Sequence, residues 1–245
     1  MRKTKYLLSS IAAHGKHVTY YAVDLSETSL RASILPLATT FPTIDFIGLL
    51  GTYEDALHHI AQTIPPQIPK TYLWLGSSIG NLTRTEAADF LANVRETAMQ
   101  DGDLFVCGID RRNDPKLVAR AYDDREGLTR EFILNGIDAV NAIWARDPEG
   151  AREGPAFERE GFEYLSYYNA VEGRHEAYYR SLRDQTIVGP GGMEVVLAEG
   201  ELINVEYSYK YSKEEVDELV ERAGLYNVGK WTDSQEVRIR DGCGK

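Results

Sequence analysis

Residues 73–81 read LWLGSSIGN, an apolar run that opens into two glycines flanking small hydroxyl residues and ends on an amide. Gly76 and Gly80 permit close approach of the backbone to a ligand. The Asn81 amide can bind a carboxylate or a carbonyl. The stretch has neither the lysine of a P-loop nor the spacing of a dinucleotide fingerprint. Asp24 closes a second apolar run, VTYYAV, and a carboxylate there can accept from the two hydroxyls of a ribose. The same position suits a helix N-cap or a turn former. Gly48-Leu49-Leu50-Gly51-Thr52-Tyr53 ends a third run. Thr52 or Tyr53 could border an adenine ring there, and an ordinary strand-to-helix turn with a half-buried tyrosine explains the residues equally well. No metal site follows from the residue types: Cys107 and Cys243 are far apart, and the adjacent His58 and His59 point in different directions on a helix.

The elements that would carry these residues alternate. Apolar runs at 18–23, 44–50, 71–75 and 104–109 read as strands. Helical periodicity separates them at 27–40, where Pro36 should introduce a kink, and at 53–63. The cleanest helix follows Asn81: Thr83 and Glu86 form a capping box, and Ala87, Phe90, Leu91 and Val94 make its apolar stripe. Two further helices are expected at 115–122 and 127–145. Continuous apolar strands between helices predict a mainly parallel sheet covered on both faces, with ligands bound at the carboxyl ends of the strands. Beyond residue 146 the character changes. A glycine- and charge-rich stretch at 148–161 reads as an exposed loop. Tyrosine-rich alternating segments at 163–171, 175–188, 193–197 and 202–211 then read as an antiparallel meander inserted into the α/β scaffold. A helix at 213–223 and a strand at 226–231 return to that scaffold.

Bulk properties narrow the class. The chain has 245 residues with 43% hydrophobic and 27% charged content, which suits one large soluble domain or a domain with an insertion. A net charge of −11 argues against nucleic acid or an anionic membrane surface as partner. Residues 1–13 superficially resemble a signal peptide, but Tyr6, Leu7, Ser10 and Ile11 share one helical face. With no apolar run near a membrane span, the expected location is cytoplasmic.

Five segments then occur in order: LWLGSSIGNLTRTEAADFL, AYDDREGLTREFILNGI, GRHEAYYRSLRDQTI, EYSYKYS and WTD. Together they resemble the histidine-specific, S-adenosylmethionine-dependent methyltransferase family, which includes ergothioneine-pathway histidine methyltransferases and dimethylallyltryptophan N-methyltransferases. The resemblance implies an α/β, Rossmann-like methyltransferase fold over 1–147 and 212–245, with a β-rich substrate-binding subdomain inserted at 148–211. It implies S-adenosylmethionine as cofactor and transfer of a methyl group to the α-amine of a free amino acid, histidine or a tryptophan derivative. By position, Asp24 would hold the cofactor ribose, Thr52 and Tyr53 would lie beside the adenine, and Gly76 would sit against the cofactor. Asn81 and Tyr122 would grip the substrate carboxylate, and Glu206 with Ser208 would face the substrate side chain. The reaction is a direct displacement on a sulfonium methyl, so the resemblance implies no catalytic nucleophile, only alignment and a neutral amine.

The family pattern also has a glycine-rich loop just before a Leu-Arg-Lys-Thr-like segment, whereas this chain opens at Met1-Arg2-Lys3-Thr4. The expectation is therefore a sheet without that loop and without the central strand preceding it, which would lie between 18–23 and 71–75. A final apolar strand after Trp231-Thr232-Asp233 is likewise not expected, because SQEVRIRDGCGK is charged and glycine-rich. An inactive, methyltransferase-like remnant without cofactor binding stands as the alternative. A nucleotide-dependent oxidoreductase rests on Asp24 and the α/β pattern alone and lacks its own fingerprint.

Overall fold

The computed structural model describes residues 2–146, 155–232 and 238–244. The first turns of the chain form helix α1 (Arg2–Ala13). Strand β1 (Val18–Asp24), helix α2 (Glu27–Thr40), strand β2 (Ile44–Leu50) and helix α3 (Tyr53–Thr63) follow. Strands β1 and β2 pair in parallel from Val18↔Ile44 to Asp24↔Leu50. Leu8, Leu37, Phe41 and Ile44 make their small core with α1 and α2.

Strand β3 (Thr71–Trp74), helix α4 (Arg84–Thr97) and strand β4 (Leu104–Asp110) continue the alternation, with β3 and β4 parallel. The capping box read in the sequence is present: Thr83 Oγ1 accepts from Glu86 N, and the Glu86 carboxylate accepts from Thr83 N. The same device opens α3 at Thr52 and Asp55. Helices α5 (Pro115–Tyr122) and α6 (Leu128–Trp144) come next, α5 starting from a proline behind an Asp114 cap. The expected loop at 148–161 lies outside the described residues through residue 154.

The inserted strands are β5 (Phe162–Asn169), β6 (Arg174–Ser181), β7 (Gln185–Val188), β8 (Glu194–Leu197) and β9 (Leu202–Tyr209). They form an antiparallel three-stranded sheet, β5-β6-β9, and a separate hairpin, β7-β8. The alternation that reads as one strand over 175–188 is broken after Ser181, where Ser181 Oγ donates to Arg183 O at 2.7 Å and turns the chain. Helix α6 packs on this sheet: Ile133, Leu134 and Ile137 share a core with Phe162, Tyr164, Ala177 and Tyr179. A domain boundary at residue 147 thus separates α6 from the strands it covers.

Helix α7 (Lys213–Arg222), strand β10 (Tyr226–Thr232) and strand β11 (Arg238–Gly244) complete the described chain. Strand β11 corrects the reading of the carboxyl-terminal stretch. It lies between β10 and β4, antiparallel to both, in the sheet order β10-β11-β4-β3. A ladder on both sides is made by backbone groups, which a charged, glycine-rich sequence also possesses. Cys243 is buried in the core beside Phe105 and Cys107, and a Cβ at Gly244 would come within 2.8 Å of the Tyr226 ring, so small residues suit the place. The sheet is accordingly mixed. Among the described residues no ladder joins β1-β2 to β3. The largest core packs α3, α4 and α7 on β3 and β4 through Leu57, Leu91, Phe105, Ile109 and Val216. No helix among the described residues is long and apolar enough to cross a membrane.

Candidate functional site

The carboxyl ends of β1, β2 and β3 carry the residues expected on the cofactor side. Asp24 ends β1, and its Oδ1 accepts from Ser26 N at 2.8 Å, so the carboxylate does form the local turn that its position allowed. Thr52 caps α3 through its side chain. Tyr53, half exposed, sets its ring 5.4 Å from Trp74 and 5.9 Å from Phe90. Gly76 follows β3, and a Cβ there would meet nothing closer than Ser78 Oγ at 3.9 Å, which leaves open space over its Cα. Ser77 adopts φ 61°, an uncommon left-handed conformation for a residue with a side chain. Trp74 Nε1 donates to Ser78 Oγ at 2.6 Å and ties the loop to the strand it leaves.

The same loop reaches the inserted sheet. Residues Ser78–Asn81 form a 3-10 turn that lies on β9, and a Cβ on Gly80 would stand 2.6 Å from Tyr209 O. Only glycine permits that approach. Asn81 is thereby brought to β9, where its Nδ2 donates to Glu206 Oε1 at 2.7 Å. A second join lies at the end of β4. Tyr211 N donates to Asp110 O at 2.9 Å and Arg112 N donates to Tyr211 O at 3.0 Å, so the two sheets meet at their strand ends.

Between these joins sits a polar cluster. Side chains two apart on a strand share a face, and β9 points Glu206 and Ser208 the same way as Lys210 just beyond it. Tyr122, at the end of α5, donates through its hydroxyl to Ser208 Oγ at 2.8 Å. Lys210 Nζ donates to Tyr122 Oη at 2.7 Å and to Ser208 Oγ at 2.8 Å, with Asp110 Oδ2 at 3.6 Å. Tyr164 Oη donates to the Tyr122 carbonyl at 2.9 Å. The Tyr122 ring stacks on His175, with centroids 3.8 Å apart and planes 10° from parallel. His175 is fully buried directly across the ladder from Ser208, its Nε2 2.9 Å from Ser166 Oγ. Its Nδ1 has no partner among the described residues. Burial, reinforced by the Lys210 ammonium, pushes the His175 imidazole down to about 4, so it is neutral at neutral pH.

The four residues expected on the substrate side are therefore assembled, as the pairs Asn81–Glu206 and Tyr122–Ser208. The four expected on the cofactor side stand at or just after the ends of β1, β2 and β3, which lie in two separate sheets, and Tyr53 meets β3 through the Trp74 ring. Sequence reasoning missed Lys210 and His175. Lys210 was legible as the third member of the E-x-S-x-K alternation in EYSYKYS. His175 stands inside the GRHEAYYRSLRDQTI segment, but its place under Tyr122 depends on how β6 pairs with β9.

Comparison with known proteins agrees with this architecture. The profile of the histidine-specific, S-adenosylmethionine-dependent methyltransferases matches residues 1–239. The chain belongs to that family. It is 35% identical to ergothioneine biosynthesis protein 1 of Neurospora crassa, over 98% of this chain and 26% of that protein. It is 31% identical to 4-dimethylallyltryptophan N-methyltransferase of Epichloe festucae var. lolii, over 94% of this chain and 70% of the relative. Identity is also 31% to ergothioneine biosynthesis protein 1 of Schizosaccharomyces pombe, over 94% of this chain and 29% of the relative. The chain thus spans little more than a quarter of the length of the ergothioneine proteins it matches.

Proposed function

We propose that this chain is an S-adenosylmethionine-dependent N-methyltransferase acting on the α-amine of a free amino acid, histidine or a tryptophan derivative. The observation that supports the reading is the pairing of Asn81 with Glu206 and of Tyr122 with Ser208 on one face of β9, with Asn81 brought there by the loop that follows β3. The residues present fit the cofactor: the space over Gly76 is open, Tyr53 offers a half-exposed ring, and one Asp24 oxygen makes the turn while the other can accept from a ribose hydroxyl. Bound there, S-adenosylmethionine would supply a methyl group on an excellent leaving group.

The protein's share is binding and alignment. Asn81 and Tyr122 would orient the substrate carboxylate, and Glu206 and Ser208 its side chain, which fixes where the amine points. Thr52, whose side chain caps α3, contributes by holding Tyr53 at the helix start. The β-rich segment 148–211 would act as the substrate-binding subdomain. The test is calorimetric titration of the full chain with S-adenosylmethionine, followed by mass spectrometry of histidine and tryptophan incubated with both. Binding in the micromolar range with a mass gain of one or more methyl groups is expected. A chain that shows no heat with the cofactor sinks the proposal.

A further inference from the structure

Trp74, half-buried, is the last residue of β3, and its Nε1 donates to Ser78 Oγ at 2.6 Å in the loop that follows. An indole N–H can only donate, so the sense of this bond is fixed and the serine hydroxyl accepts. The bond spans Gly76, and the same hydroxyl borders the open space over it, 3.9 Å from where a Cβ would stand. It also spans Ser77, whose left-handed backbone persists only where its surroundings hold it. From Ser78 the chain runs straight into the turn that seats Gly80 on Tyr209 and brings Asn81 to Glu206. The indole ring itself belongs to a triangle. It meets Phe90 edge to face at 4.5 Å, and Tyr53 lies 5.4 Å from Trp74 and 5.9 Å from Phe90. Trp74 and Phe90 also pack on the largest core, which leaves Tyr53 as the outer ring, 53% exposed.

We infer that Trp74 is a positioning residue that couples the two halves of the site: its ring braces Tyr53 and its N–H braces the loop that delivers Asn81, so that binding in one half favours binding in the other. This rests on the amino-acid-methylating reading above. An adenine ring seated on Tyr53 adds a contact to the outside of the triangle and narrows the motion of the rings behind it. A Trp74 so held keeps Ser78 in place and, with it, the strained Ser77. The amino acid then meets an Asn81 that is already oriented, and by linkage the amino acid tightens the cofactor by the same factor.

The experiment is calorimetric, on the full chain. It uses S-adenosylhomocysteine, which has the adenosine but no methyl to transfer, and measures Kd for L-histidine and L-tryptophan with and without it. The ratio of the two values is the coupling, and about tenfold tightening is expected in wild type for the amino acid that binds better. Trp74→Phe keeps a ring beside Tyr53 and removes the N–H, and Ser78→Ala removes the acceptor. Each should bring the ratio to about twofold or less, and the double variant should bring it no lower. The affinity for S-adenosylhomocysteine alone should change little in either. Ser78→Thr keeps the acceptor and should keep the ratio. If Trp74→Phe does not fold, the contrast between Ser78→Ala and Ser78→Thr carries the test. Trp74 is one of three tryptophans, so emission should respond to S-adenosylhomocysteine in wild type and Ser78→Ala and much less in Trp74→Phe. A response undiminished in Trp74→Phe overturns the inference, because it lies at Trp144 or Trp231. Variants that weaken both ligands in equal proportion and keep the wild-type ratio also overturn it, since that is loss of packing alone. A wild type in which the two ligands bind independently overturns it and leaves the methyltransferase reading in place. A wild type that binds no S-adenosylhomocysteine, or binds it and neither amino acid, removes the reading and the inference together.

Discussion

Tyr122 and His175 work as a unit at the residue scale. The phenol holds its place by stacking on a buried imidazole, by the Tyr164 bond to its carbonyl and by the Lys210 bond to its oxygen. Tyr122→Phe keeps the stack and the backbone bond but removes the oxygen shared by Lys210 and Ser208. We expect kcat/KM to fall about 10- to 100-fold, a loss typical of charge-assisted hydrogen bonds, with thermal unfolding shifted by only a few degrees. Steady-state kinetics beside a melting curve separates the two effects. His175 makes a prediction about pH. Its folded-state value lies near 4, below the ordinary histidine value, so the unfolded chain binds more protons between about pH 6.5 and pH 4. Its neutral form therefore stabilises the fold above that window, and the contribution is lost as pH falls through it. The slope attributable to His175 is about 1.4 kcal/mol per pH unit at most. Urea unfolding of wild type and His175→Phe from pH 7 to pH 4 should show a shallower decline in the variant; parallel declines would contradict the assignment.

Among elements, the 3-10 turn at Ser78–Asn81 has the most consequence. It comes from the loop after β3 yet delivers Asn81 to β9, and it does so because Gly80 lets backbone meet backbone. Gly80→Ala would place a methyl 2.6 Å from Tyr209 O, and neither partner is a flexible side-chain end. The turn must then lift from β9, carrying Asn81 away from Glu206. A destabilisation of about 1–3 kcal/mol is expected, as for other overpacked sites, together with a rise in substrate KM larger than that in cofactor Kd. Unchanged substrate KM in a folded Gly80→Ala protein would show that the docking of this turn does not position Asn81.

For the whole molecule the question is what joins the α/β body to the inserted sheet. Glu215, in the first turn of α7, accepts from Arg112 on both oxygens, at 2.6 and 2.9 Å, and from Arg84 at 2.9 Å. The same two arginines reach the β5-β6 turn, Arg84 through Glu172 O and Arg112 through Ala170 O. One carboxylate thus holds two cations that grip the insertion. All three side chains are between 20% and 32% exposed, so solvent screening reduces the network's worth. Glu215→Ala should lower unfolding free energy by about 1–3 kcal/mol, leaving two partly buried cations poorly matched. It should also raise amide exchange in the β5-β6 turn before it does so in β4. Exchange that rises uniformly would mean that the network contributes to global stability and not to the joint.

What the sequence determined by itself is local. Capping boxes, proline at a helix start and the spacing of apolar residues depend on neighbours a few positions away, and α3, α4, α5 and β2 lie where those signals put them. The family motifs likewise marked Asn81, Tyr122, Glu206 and Ser208, because each stands inside a contiguous, recognisable string. Tertiary structure decided what depends on distant pairing. It made Arg238–Gly244 a strand, since two waiting ladders can recruit a backbone whose side chains carry no strand pattern. It ended the long alternation at Ser181 and turned the chain into a hairpin. It brought Asn81 and Glu206, 125 residues apart, within one hydrogen bond. And it placed His175 and Lys210 around Tyr122, the one stacked on its ring and the other bonded to its oxygen.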